Sequence, residues 1–418
     1  MPINRRNFLQ TSFKGAAFAW GGSSLLSSCA TRSGAGPAAG AAISEPNLNL
    51  GLHQKFTSPV KITSVDIVRA HGELFVRVTS ADGVVGITQA NQRMENLYSL
   101  LNGMIVPFFT GKDARDLEFL VDEVYRVNSH YKYAGMPFWN CVGHVEIAIW
   151  DMLGKTAGQP VPALLGKQVR TQIPVYLSSL TRETTPQQEA EELAAALART
   201  GSKAIKIKIG GRMRNTPEDE QRTQALLPQL RKTLGDAVTI YADSNSSYSA
   251  EEGIRIGRFL EEHGVAIFEE PCSWEDYEGN RRVTAALTKT KVAGGEQDSS
   301  TLRFRDIIQN RVYDIVQPDL YYNGGIIRTM RVAQMAAQAG MGSAPHSPKA
   351  DPLEAPFLHL ATVIPNLEGF QEYPARPGKY PAWYEPHILV KDGHLTVPPG
   401  PGLGMVYDPA LWVQAKKV

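Results

Sequence analysis

The chain has 418 residues, enough for two domains and a large core. Hydrophobic residues make up 43% and charged residues 20%, with a net charge of +1, as in soluble globular proteins. This balance offers neither the basic field that nucleic acid requires nor an acidic tail, so any cationic site must be local.

Residues 1–29 read as a targeting segment. Asn4-Arg5-Arg6-Asn7-Phe8-Leu9-Gln10 is similar to a twin-arginine export signal. The apolar run from Ala16 to Leu26 is too short and too rich in Gly and Ser to span a membrane. Leu26-Ser27-Ser28-Cys29 resembles a bacterial lipoprotein cleavage box, with Cys29 as the lipidated residue. The expectation is an exported bacterial protein, periplasmic or tethered to the membrane through Cys29 alone. Residues 30–55, rich in Ala, Gly, Pro and Ser at their start, read as a flexible linker.

An α+β unit is predicted over residues 56–170. Lys61 to Val68 and Leu74 to Val78 alternate as strands around the turn at His71-Gly72-Glu73. Asp82-Gly83 marks a second hairpin turn, before Val84 to Thr88. Helical patterns come next at Met94 to Ile105, Leu117 to Tyr125 and Trp139 to Ala157. His144 and Glu146 fall at apolar spacing in the last helix and read as packing groups. Cys141, in the same pattern, reads as core. Cys272 is expected near a barrel mouth without a catalytic role, because no matched base adjoins it.

From Thr171 strand and helix alternate. Gln172 to Leu177 is the first predicted strand, and Pro186 to Thr200 the first helix. Ala204-Ile205-Lys206-Ile207-Lys208-Ile209 alternates strictly, placing Lys206 and Lys208 on one face of a strand. Alone, it reads as a half-exposed antiparallel strand with a solvated lysine face. The polar residues at the downstream strand ends reverse that reading. Asp243, Glu269, Glu296, Asp319, His346 and Glu372 each end a predicted strand, at intervals of 23 to 27 residues. One β/α unit takes roughly that length in a (β/α)8 barrel of about 250 residues, which carries its active site at the strands' C-terminal ends. The Pro-rich tail, residues 385–418, holds strand signals without a helix and is expected to return to the first unit.

Asp243, Glu269 and Glu296, converging at three successive strand ends, cannot all ionise without a cation. Three hard oxygen ligands favour Mg²⁺, or Mn²⁺, over zinc. A lysine beside another cation has a lowered pKa and can act as a base. Asp319 and His346 lie on adjacent strands, where a carboxylate can fix an imidazole's tautomer. Such a mouth suits a small-molecule carboxylate that loses its α-proton, with Lys206 and the metal stabilising the enediolate.

Lys206-x-Lys208, Asp243-Ser244-Asn245, Phe268-Glu269-Glu270-Pro271, Gly295-Glu296-Gln297, Gln317-Pro318-Asp319 and His346-Ser347-Pro348 together resemble the enolase superfamily in its mandelate racemase-like branch, over about residues 58–410. The resemblance implies a modified TIM barrel, (β/α)7β, over 171–384, with an α+β capping domain, 56–170, completed by the tail. It implies Asp243, Glu269 and Glu296 as metal ligands, Lys208 as acid/base and Lys206 beside the substrate carboxylate. His346 paired to Asp319 would serve the opposite face, and Glu372 would lie near the substrate carboxylate. Asn245 stands where other branches carry His, and Asp319 where the muconate cycloisomerase-like branch carries a second lysine. Asn245 and Tyr131, the latter in the aromatic cap loop from Ser129 to Met136, are candidate substrate contacts. The short turn at His71-Gly72-Glu73 predicts poor cover from the first cap loop. The expected reaction is dehydration of a sugar acid. A racemase or epimerase is the alternative, and an exported sugar-acid-binding protein on an inactive scaffold is an alternative of another class. A homo-oligomer is expected.

Overall fold

The computed structural model describes residues 43–347 and 351–418. The export segment, Cys29 and the linker up to residue 42 lie outside the described residues. Residues 43–55 pack rather than dangle: Ile43, Leu50 and Leu52 are buried, and Glu118 Oε1 accepts the Leu48 N–H at 2.6 Å. Three apolar anchors and one part-buried hydrogen bond override the linker-like composition.

The capping unit begins with β1 (Ile62–Ala70), β2 (Glu73–Ser80) and β3 (Val85–Gln89), paired antiparallel. The last strand of the tail, Lys416–Lys417, adds antiparallel to β1. The sheet lies against the helix Met136–Ala157, which is buried almost continuously from Phe138 to Gly154. Gly143 explains how that helix approaches the barrel so closely. A Cβ there would stand 2.8 Å from the Tyr321 carbonyl oxygen and 3.1 Å from the Gly325 nitrogen, so a larger residue would wedge the two apart.

Among the described residues eight parallel strands form the barrel: β4 (Gln172–Ser178), β5 (Ala204–Lys208), β6 (Thr239–Asp243), β7 (Val265–Glu269), β8 (Lys291–Gly294), β9 (Ile315–Val316), β10 (Gly342–Ser343) and β11 (Gln371–Pro374). They run in the order β10-β9-β8-β7-β6-β5-β4-β11. The ring closes where Ser343 N donates to Asn366 O at 3.0 Å and Glu368 N donates to Ser343 O at 2.9 Å, just ahead of β11. A helix comes after every strand from β4 to β10 and none directly after β11, which is the (β/α)7β pattern. Three of these helices, Pro186–Thr200, Pro217–Leu234 and Ala250–Glu262, start at capping boxes built on Thr185, Thr216 and Ser249. Such caps stabilise each helix start by about 1 kcal/mol.

The solvated lysine face does not exist, because β5 is buried on both faces, flanked by β4 and β6. Ile205 and Ile207 pack in the main core, and Ala204 joins Tyr176, Tyr241, Ile267, Ala293 and Ile315 in a layer of the barrel interior. The tail divides: His394–Thr396 pairs antiparallel with β4, whereas Lys416–Lys417 adds to the capping sheet and Tyr407, Leu411 and Trp412 pack around Phe75 of β2.

Candidate active site

Strand register sets the site. Lys208 on β5 lies beside Asp243 on β6, which lies beside Glu269 on β7. Lys206 Nζ donates to Glu269 Oε1 and Oε2 at 2.9 and 3.0 Å, sits 3.0 Å from Glu372 Oε1 and 3.8 Å from Asp243 Oδ2, and lies 5.2 Å from the Tyr176 ring centre. Burial works against the Lys206 charge, but Glu269 and Glu372 outweigh it and hold its pKa well above the ordinary lysine value.

Lys208 Nζ donates to Asp243 Oδ2. The other Asp243 oxygen accepts the Asn245 backbone N–H at 2.8 Å. Burial opposes the Asp243 charge, yet Lys208 and Lys206 hold this carboxyl far below its usual range. Glu269 behaves differently. Burial, reinforced by repulsion from Asp243, Glu296 and Glu372, pushes it up to about 7 against the pull of Lys206. Gln317 Nε2 donates to Glu269 Oε2 at 3.0 Å, and Gln297 Nε2 to Glu296 Oε1 at 3.0 Å.

On the other side, Asp319 and His346 are joined by a parallel bridge past the ends of β9 and β10. His346 Nδ1 lies 2.7 Å from Asp319 Oδ2, while Asp319 Oδ1 accepts the backbone N–H groups of Tyr321 and Tyr322 at 2.8 Å each. With Nδ1 committed, Nε2 faces Glu296 Oε2 at 3.2 Å and Glu372 Oε2 at 3.6 Å. Burial disfavours the imidazolium, but Glu296 and Asp319 outweigh it and raise His346 to about 9.

The structure thus gathers Lys206, Lys208, Asp243, Glu269, Glu296, Asp319, His346 and Glu372 in one contact network. It does not gather Tyr131, which is half exposed and neighbours the Tyr125 ring at 6.3 Å between centres. Among the described residues no hydrogen bond or ion pair links Tyr131 to the cluster. Asn245 is a brace. Its amide nitrogen donates to Asp243 Oδ2 at 3.2 Å and its carbonyl oxygen accepts from Arg182 Nη2 at 3.1 Å, so both ends are spent on protein. Arg182 also holds the carbonyls of Gly210 at 2.9 Å and Ser244 at 3.3 Å, tying together the loops after β5 and β6. Nothing in the sequence marks this lone arginine.

Cap residues reach the loop between Asp319 and the helix Ile326–Gln338. His144 stacks on Tyr321 with ring centres 4.7 Å apart. Glu146 accepts the N–H groups of Ile326 and Ile327 at 3.0 Å each, and the Trp150 indole N–H at 2.8 Å. Arg93 Nε donates to Tyr322 Oη at 2.6 Å. Cys141 and Cys272 are buried, and burial pushes each thiol up to about 12, so neither supplies a thiolate. A larger open cleft of about 990 Å3 lies elsewhere, lined by Glu45, Asp122, Tyr125, Trp139, Arg328 and Arg331 among others, and none of the candidate catalytic residues lines it.

Asp243, Glu269 and Glu296 form an all-oxygen donor set at three successive strand ends, and their mutual repulsion is part of what raises Glu269. That chemistry fits a hard divalent cation. Among the described residues no three such groups are gathered as a metal-binding set. Lys208, Lys206 and His346 take one carboxylate each: Asp243, Glu269 and Glu296.

Comparison with known proteins agrees with the geometry. Residues 188–411 match the sequence model of the enolase C-terminal domain-like family, and residues 51–166 that of the mandelate racemase / muconate lactonizing enzyme N-terminal domain. The chain is 28% identical to arabinonate dehydratase of Saccharolobus solfataricus over 78% of its own length and 86% of the relative's. It is 30% identical to L-talarate/galactarate dehydratase of Salmonella typhimurium over 70% and 69%. A mandelate racemase/muconate lactonizing protein of Paracoccus denitrificans, solved in complex with magnesium, superimposes with a TM-score of 0.77 at 28% identity, covering 86% of this chain and 98% of that one. The protein is an enzyme of the mandelate racemase/muconate lactonizing enzyme family, within the enolase superfamily.

Proposed function

We propose that the enzyme dehydrates a sugar acid to a 2-keto-3-deoxy acid, with Lys208 as base and His346 as acid. The carrying observation is the placement of His346: Nδ1 is held by Asp319 at 2.7 Å, which turns Nε2 toward Glu296, 3.2 Å away in the mouth, as the nitrogen that can give a proton. Lys208 Nζ takes the proton α to the substrate carboxylate. The electrons pass into an enediolate, whose charge the fixed cation Lys206 stabilises. The C–O bond at the β-carbon then breaks, and His346 Nε2–H protonates the departing hydroxyl, so water leaves. The enol that remains tautomerises to the 2-keto product. A divalent cation bound by Asp243, Glu269 and Glu296 would supply Lewis-acid charge to the substrate carboxylate. The two dehydratase relatives support the reading.

The test is a screen of sugar and hydroxy acids with Mg²⁺ in D2O. A 2-keto product from at least one sugar acid is expected. Deuterium at the α-carbon with inversion, and no keto product, would make the enzyme a racemase or epimerase instead. We also place the enzyme outside the cytoplasm, on the Arg5-Arg6 segment. Replacing both arginines by lysine should trap it inside, as cell fractionation would read; export of that variant would remove the proposal.

A further inference from the structure

The reaction uses the near end of the substrate and leaves its far end free. Every cation in the catalytic network is already paired: Lys206 with Glu269 and Glu372, Lys208 with Asp243, and His346 with Asp319 and Glu296. Arg93 is the exception beside them. It stands on the cap's Gln92–Asn96 turn, exposed, and its Nε donates to Tyr322 Oη at 2.6 Å while the guanidinium lies 4.9 Å from that ring's centre. Tyr322 is buried, and its backbone N–H binds the same Asp319 that orients His346. The guanidinium is therefore linked to His346 through Tyr322 and Asp319. Among the described residues neither terminal nitrogen of Arg93 has a carboxylate partner. Glu95, on the same turn, is committed to Arg69 through two bonds of 2.7 Å. A guanidinium fixed at Nε, with its terminal nitrogens open, suits two-point capture of a carboxylate.

We propose that Arg93 captures a second carboxylate at the far end of the substrate, making dicarboxylic sugar acids the preferred class. This rests on the sugar-acid reading above. The test compares kcat/KM for a six-carbon sugar diacid with that for the monoacid of matching stereochemistry, in wild type, Arg93→Met, Tyr322→Phe and Arg281→Met. Arg281 pairs with Glu278 on a surface helix and serves as the control. Wild type should favour the diacid. Arg93→Met should lower the diacid-to-monoacid ratio ten- to a hundredfold, mainly through KM. Tyr322→Phe should lower it less, and Arg281→Met not at all. A wild type that dehydrates only monoacids, or an Arg93→Met that slows both acids equally, would overturn the inference and leave the dehydratase reading standing. No 2-keto product from either acid across the full screen would remove that reading and this inference with it.

Discussion

Two buried histidines, His346 in the barrel mouth and His144 in the seam between cap and barrel, sit near the same aspartate, yet their surroundings move their pKa values in opposite directions. Asp319 pulls both upward, but burial wins at His144, which falls to about 4, whereas Glu296 and Asp319 together win at His346, which rises to about 9. Among the described residues the His144 ring bonds to neutral backbone: Nδ1 to Asn140 O at 2.7 Å, and Nε2 accepting the Asn91 N–H at 3.1 Å. The mouth gathers ionised groups that answer one another, and the seam gathers buried groups that answer backbone dipoles. Desolvation alone fixes neither outcome; the partners decide.

The largest effect should come from breaking the mouth. His346→Asn should lower kcat by about 10²- to 10⁴-fold, the usual contribution of a positioned acid. Asp319→Asn should cost about 10²-fold or more, because the imidazole loses the group that fixes its tautomer. Both variants should keep the wild-type melting temperature to within a few degrees.

The seam should show itself in stability. His144 binds a proton in the unfolded chain below about pH 6.5 but in the folded protein only below about 4. Between those values the unfolded state holds more protons, so stability falls as pH falls, by about 3 kcal/mol in total for this group. Urea unfolding of wild type and His144→Gln between pH 7 and pH 4 should reveal a shallower slope in the variant. Glu146→Ala should destabilise by about 2 kcal/mol, since it strands the N–H groups of Ile326, Ile327 and Trp150. The smallest effect is at the brace: for the divalent cation proposed at Asp243, Asn245→Ala should weaken Mg²⁺ binding about tenfold by calorimetry, because Asp243 loses a partner that orients it.

The barrel is legible in the sequence because its polar strand ends recur at one β/α unit's length, and that series reverses the solvated-face reading that the Lys206/Lys208 pair carries alone. His144 and Glu146 are the packing groups that their apolar spacing predicts; that they grip the Asp319 loop depends on which helix meets which loop. Tyr131 departs from expectation for a related reason. The reach of a cap loop is set by tertiary packing, and an aromatic composition says nothing of direction. Asn245 sits at the expected place, but its amide is spent on Asp243 and Arg182. Arg182 and Arg93 leave no trace in the sequence, since a single arginine in a polar loop has no pattern to stand out from.

The proposed dehydration divides the work between Lys208 and His346, one as base and one as acid. It is tested most directly by following the α-proton in D2O for Lys208→Ala and His346→Asn on a sugar acid that the wild type dehydrates. His346→Asn should still exchange the α-proton for deuterium while making almost no 2-keto product, and Lys208→Ala should do neither. A His346→Asn enzyme that forms the keto product at the wild-type rate, or a Lys208→Ala enzyme that still exchanges the α-proton, would contradict the assignment.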